Sequence, residues 1–149
     1  MKQITARHRR DPTVTSRMMA AVRNKNSKAE LALRRELHAR GVRYRLHAKD
    51  VFGRPDLVIR KYRLAVFVDG DMWHGNPAAW VARGLSSMEA MFPTHTDWWV
   101  VKVRRTQVRD AEVNSSLERE GWTVIRLWES GILADVGAAA DKVTSSLHS

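Results

Sequence analysis

Apolar residues recur at helical spacing over residues 28–40, where Leu33 and Leu37 fall on one face, and this spacing predicts a helix. Ser27 followed three residues later by Glu30 has the form of a capping box, and Gly41 supplies the stop. Glu30 stands at i, i+3, i+7 with Leu33 and Leu37, so its carboxylate shares the apolar face and is expected to point inward. After Gly41 the period shortens. VRYRLH (42–47) alternates, and DLVIR (56–60) and LAVFV (64–68) are apolar and β-branched around a Lys61-Tyr62-Arg63 link, the pattern of three consecutive antiparallel strands. Gly70, Gly75, Pro77, Gly84 and Pro93 bound or break the stretch 71–95, which reads as loops around a short helix at 86–91. A long helix is predicted from Thr96 to Glu120, stopped by Gly121. A strand over WTVIRLW (122–128) and a closing amphipathic helix over 135–147 follow. Residues 1–15 are polar and aperiodic and read as a flexible basic arm, and a short helix ending near Asn24 to Asn26 follows it. Residues 16–149 are expected to form one domain.

Composition narrows the class. A chain of 149 residues closes one ordinary core. No apolar run approaches the roughly 20 residues of a membrane helix, and the N-terminus lacks the hydrophobic stretch of a secretory signal, so a soluble cytoplasmic protein is expected. Cysteine is absent, which excludes disulfides and thiolate metal sites and leaves oxygen and imidazole as the only metal donors. Lys plus Arg is 26 against 16 acids, and residues 1–45 hold 13 of the bases and 3 of the acids, so the whole excess of +10 lies in the first third. A basic arm and helix of this kind suit a polyanion, nucleic acid first; a solubilising tail or a tail for acidic lipid would carry the same charge.

Phosphodiester cleavage requires divalent cations held by oxygen, an activated water and stabilisation of the phosphoryl charge. Asp56 opens DLVIR directly after Gly53-Arg54-Pro55, and Asp69 closes LAVFV one hairpin later, so the two are expected to meet at neighbouring strand ends. Paired carboxylates repel unless a cation or proton intervenes, which favours magnesium, with manganese able to substitute. His74 follows in a glycine-flanked loop with a side chain suited to general-base or water-orienting work. Asp56 and Asp69 as turn residues and His74 as a solvated loop histidine is the competing account.

Together SKAELALRRELHARGVRYRLH, GRPDLVIRKYRLAVFVDGDMWHG, WWVVKVRRTQVRD and GWTVIRLWE resemble the very-short-patch-repair (Vsr) endonuclease family across roughly residues 14–130. The resemblance implies an α/β fold, the restriction-endonuclease-like PD-(D/E)xK core, with a mixed β-sheet flanked by helices. It implies a magnesium-dependent DNA endonuclease that nicks one strand at or near a T:G mismatch in double-stranded DNA. By position, Asp56 matches the metal-ligating aspartate, and Val68 the residue whose carbonyl completes the metal shell. His74 matches the catalytic histidine, Glu30 the glutamate of the first helix, and Asp110 an aspartate supporting the site. Glu30 as only a capping residue and Asp110 as half of a surface ion pair remain alternatives.

Met72-Trp73 beside His74, and Trp98-Trp99 opening the long helix, match positions where the family inserts a bulky wedge into the base stack. Unstacking costs least at a mispair, so Met72, Trp73 and Trp99 are candidate DNA contacts, with core packing as the other role open to the two tryptophans. Trp80, Trp122 and Trp128 are assigned to packing. Lys102, Arg109 and, in the arm, Arg7, Arg9 and Arg10 are expected to contact phosphates. The chain departs from the family where many members bind structural zinc: the two regions read Gly75-Asn76-Pro77 and Ser130-Gly131, so no zinc is expected and the loop should be held by packing alone. Asp69 stands where some members have histidine, which would let it ligate the metal. Asp71 replaces an uncharged residue and opposes phosphate unless compensated. A monomer is expected, with other DNA repair proteins as further partners. A nicking enzyme of a restriction or defence system, and a non-catalytic DNA-binding module of the same fold, are the rival readings.

Overall fold

The computed structural model describes residues 27–148. The expected arm and the short helix before Ser27 lie outside them, and so do Arg7, Arg9 and Arg10. Helix α1 (Lys28–Ala39) starts where Ser27 Oγ accepts the Glu30 backbone N–H at 3.2 Å. It ends in a Schellman turn, in which Val42 N–H reaches the Leu37 carbonyl and Gly41 N–H that of His38, with Gly41 at φ +80°.

Strands β1 (Arg45–Leu46), β2 (Leu57–Ile59) and β3 (Leu64–Asp69) pair antiparallel in sequence order. A 3₁₀ turn over Arg60–Tyr62, closed by Arg63 in the left-handed region, makes the β2–β3 link. Of the six residues VRYRLH, only two pair as strand, because the chain turns away at His47, itself at φ +46°. Helix α2 (Ala78–Val81) and a 3₁₀ turn at Glu89–Met91 punctuate the loop region, the latter inside the predicted 86–91 segment.

Helix α3 (Thr96–Arg119) crosses back so that β4 (Thr123–Trp128) lies parallel to β3, giving a four-stranded mixed sheet ordered β1-β2-β3-β4. The predicted closing helix over 135–147 is present, and a short helix not read from the sequence precedes it. Glu129–Ala134 (α4) follows β4 without a break and buries Ile132, and Val136–Ser145 (α5) starts anew where Asp135 accepts the Ala138 N–H at 2.9 Å.

Strand alternation sorts the sheet into two faces. Leu57, Ile59, Leu64, Val66 and Leu127 point to one side and pack on Leu33 and Leu37 of α1, Ile132 of α4 and Val143 of α5. Val58, Ala65 and Phe67 point to the other, against Val113 and Leu117 of α3. Each fully buried Leu of these layers contributes roughly 1.5–3 kcal/mol by leaving water. A smaller cluster of Met88, Phe92 and Val103, with Met72, Trp80 and Trp99 against it, anchors the 71–95 segment on α3. The β1–β2 loop docks on the same helix at Gly53: its φ is +81°, and a Cβ there would lie 2.5 Å from Val113 Cγ1, so only glycine fits without displacement. No helix among the described residues is long and apolar enough to cross a membrane.

Candidate active site

The end of β1, the start of β2 and the ends of β3 and β4 meet at one end of the sheet, beside α1 and α3. A cleft of about 390 Å³ opens there, and Glu30, Asp56, Val68, Asp69, Trp73, His74, Lys102, Arg109 and Asp110 all line it. The residues singled out from the sequence as catalytic thus converge from α1, the β1–β2 loop, β3, the loop after it and α3.

Within the cleft the ionisable side chains form two groups. In the first, donor atoms of Glu30, His47 and Asp56 lie within 4.8 Å of one another. Pro55 is fully buried just ahead of β2, and Asp56 Oδ2 accepts the Val68 N–H of the neighbouring strand at 2.7 Å. Glu30 is 2% exposed. Its Oε2 is bound by Arg34, one turn along α1, and by His47 Nε2 at 2.7 Å. The inward carboxylate read from the helical spacing is therefore real, and its work goes well beyond capping.

The second group is Asp69, His74 and Asp110, also within 4.8 Å. His74 Nδ1 lies 2.6 Å from Asp110 Oδ2 and 3.8 Å from Asp69 Oδ1. A carboxylate only accepts, so Nδ1 carries the proton and Nε2 holds the lone pair of the neutral ring. Burial alone would lower the His74 pKa; the Asp110 hydrogen bond and the charges of Asp69 and Asp110 outweigh it, and the net direction is up. Burial raises the Asp69 pKa, against the opposing pull of His74 and Arg126. Asp69 and Asp56 therefore share the cleft but belong to different groups, and both oxygens of Asp69 are held by Arg126 Nη1, at 3.0 and 3.2 Å.

Two members of the site escaped the sequence reading. Arg126 reaches Asp110 at 3.4 Å as well as Asp69, stacks 4.1 Å from the Phe67 ring centre and donates through Nε to Asn114 at 2.7 Å. Its signal was available: it is the one charge inside an otherwise apolar strand, and Asn114 stands four residues after Asp110 on α3. His47 gave no such signal.

The loop from Gly70 to Gly75 is fixed by hydrogen bonds, which corrects the expectation that packing alone would hold it. Asp71 accepts from Asn76 Nδ2 at 2.9 Å, Ser130 N–H at 3.1 Å and Ser130 Oγ at 2.8 Å, tying the loop to the first turn of α4. The Asp71 charge is thus compensated within the protein. Trp73 and Trp99 stand 5.1 Å apart, and Trp99 stacks on Phe92 at 5.7 Å and takes Trp98 edge-on at 4.7 Å. Trp99 is a half-buried member of the small cluster, with Met72 beside it, whereas Trp98 is 59% exposed with Lys102 Nζ 5.7 Å from its ring centre. Trp128, assigned to packing from its apolar strand, is exposed.

The first group sets the carboxylates of Glu30 and Asp56 beside the Val68 backbone, oxygen donors that fit a divalent metal. The model of the family described as DNA mismatch endonuclease Vsr matches residues 8–79. The chain is 35% identical to the type II nicking enzyme V.NmeDIP of Neisseria meningitidis serogroup C, over 92% of this chain and 88% of that one. It is 40% identical to the type II nicking enzyme V.NaeI of Lentzea aerocolonigenes, over 89% and 76%. With the DNA mismatch endonuclease Vsr of Escherichia coli K12 it shares 29% identity over 82% and 73%.

Proposed function

The chain belongs to the Vsr family of DNA endonucleases, and from that premise we propose that it nicks one strand of duplex DNA at or beside a T:G mismatch, using magnesium. The observation that carries the reading is the convergence of Asp56, Val68 and His74 in one cleft with Trp73 on its wall. Asp56 and the Val68 carbonyl would hold the ion, which supplies Lewis-acid stabilisation of the charge on the phosphoryl oxygens.

His74 orients the attacking water and takes its proton at Nε2 as the new P–O bond forms and the ester P–O bond breaks. Asp110 keeps the ring in that tautomer through Nδ1, and Asp69, held on Arg126, supports His74 rather than the ion. Lys102 and Arg109 on the cleft wall meet phosphates. Trp73, backed by Trp99 and Met72, is the wedge, and its neighbours give it the rigid support that unstacking a base step demands.

A second reading, a nicking enzyme of a restriction system with another DNA target, is favoured by the names of the relatives above 30% identity, V.NmeDIP and V.NaeI among them. Incubating supercoiled plasmid, a T:G duplex and its matched twin with magnesium or EDTA, for wild type and Asp56→Asn, separates them. Strand-specific nicking of the mismatched duplex alone, lost in Asp56→Asn, is the expected result. Nicking of both duplexes selects the restriction reading, and no magnesium-dependent product in any of them rejects catalysis in favour of a DNA-binding module.

A further inference from the structure

We propose that His47 is a positioning residue of the active site, bridging the carboxylate of Glu30 to the metal-binding aspartate Asp56; the inference rests on the endonuclease reading above. His47 makes both connections at once. Its Nε2 lies 2.7 Å from Glu30 Oε2, and its backbone N–H donates to the Asp56 carbonyl at 3.1 Å. The Glu30 carboxylate only accepts, so Nε2–H is the donor.

The residue holds a left-handed backbone, φ +46°, a conformation that is unfavourable for a non-glycine residue and persists only where the surroundings enforce it. That conformation follows directly on the two-residue β1, and the ring reaches Glu30 of α1. Glu30 has no freedom of its own at this point: it is 2% exposed, and its Oε2 is shared between Arg34 of its own helix and His47 of the loop. Arg34 approaches from one turn along α1 and can set the distance of the carboxylate from the helix. His47 refers it to the loop that carries Asp56. Residues that hold a ligating or reacting group in this way typically change activity by roughly 10–100-fold when removed.

Two variants separate positioning from folding. His47→Asn tolerates the left-handed backbone, but its amide nitrogen stands one bond closer to the main chain than histidine Nε2 and falls short of Glu30. His47→Gln carries an amide nitrogen as many bonds out as Nε2 and can restore the donor. With duplex DNA that the wild type nicks, His47→Asn is expected to lower kcat by roughly 10–100-fold while KM for DNA stays within about threefold and the melting temperature is kept, and His47→Gln is expected to recover most of kcat. A His47→Asn enzyme with wild-type kcat, a loss carried by KM, or a His47→Gln enzyme as slow as His47→Asn would overturn the proposal. Failure of the wild type to nick any DNA would instead be failure of the functional reading, and the two results are distinguishable in one experiment.

Discussion

The two ionisable groups of the cleft have the same composition, two carboxylates, one histidine and one arginine, yet they are suited to different chemistry. In the group around Asp69, Arg126 sits between the carboxylates, within 3.4 Å of both. A guanidinium there occupies the place a cation would take, so the group arrives already compensated, and what it has to offer is a histidine with a held proton and a lone pair. In the group around Asp56, Arg34 binds Glu30, and Asp56 accepts the peptide N–H of Val68. Position of the arginine, rather than donor count, separates a metal site from a proton-handling site.

The largest test of that division is Asp56→Asn, which removes a charge from the metal side. Several kcal/mol of transition-state stabilisation are at stake, so nicking should fall about 10³-fold or more while DNA affinity in EDTA is kept.

Asp110→Asn acts on the other side, where orientation and proton affinity are lost together, and a fall of roughly 10–100-fold in kcat is expected. The sign of its pH effect follows from the raised His74 pKa. The base must be neutral, so the wild-type rate rises with pH through that value, and removing the Asp110 charge moves the acid limb to lower pH. The same shift contributes stability that is complete below the unfolded histidine pKa of about 6.5 and is lost as pH rises through the folded value. Thermal melts in EDTA should therefore show Asp110→Asn losing more stability near about pH 5 than near about pH 9.

Arg126→Met leaves Asp69 and Asp110 facing each other, and with partial solvent access it should cost roughly 2–3 kcal/mol, somewhat under the figure for a fully buried pair. Magnesium should restore part of the melting temperature in this variant if the arginine does stand where a cation could. A melt indifferent to magnesium would break the comparison. Asp71→Ala, in the latch to Ser130, is the smallest of the four. About 1 kcal/mol, or roughly 2–4 °C, is expected in the melt, and a mismatched duplex carrying a fluorescent base should report weaker unstacking as Trp73 loses its support.

The pattern of hydrophobic and polar positions located α1, β2, β3, α3 and β4 nearly to their ends, and β1 by place though not by length, because each is marked by local periodicity and by a local stop such as Gly41 or Gly121. It missed α4 and α2, which at six and four residues are too short for a period to be read. Of the candidate site, Glu30, Asp56, Asp69, His74 and Asp110 were legible as residue types at strand ends and on helix faces, and all of them line the cleft.

By itself the sequence determined the longer elements, which face of each is apolar, and that any metal must rest on oxygen or imidazole. Only the tertiary structure decided the pairing of charges: Arg126 with Asp69 across 57 residues, His74 with Asp110 across 36, and His47 with Glu30 across 17. The physical reason is that strand alternation fixes the face a side chain points to, whereas its partner depends on the register between strands and on how a helix lies across them. Arg126 stands level with Phe67 in the parallel β3–β4 pair, and that register brings its guanidinium to Asp69, two residues further along β3 on the same face.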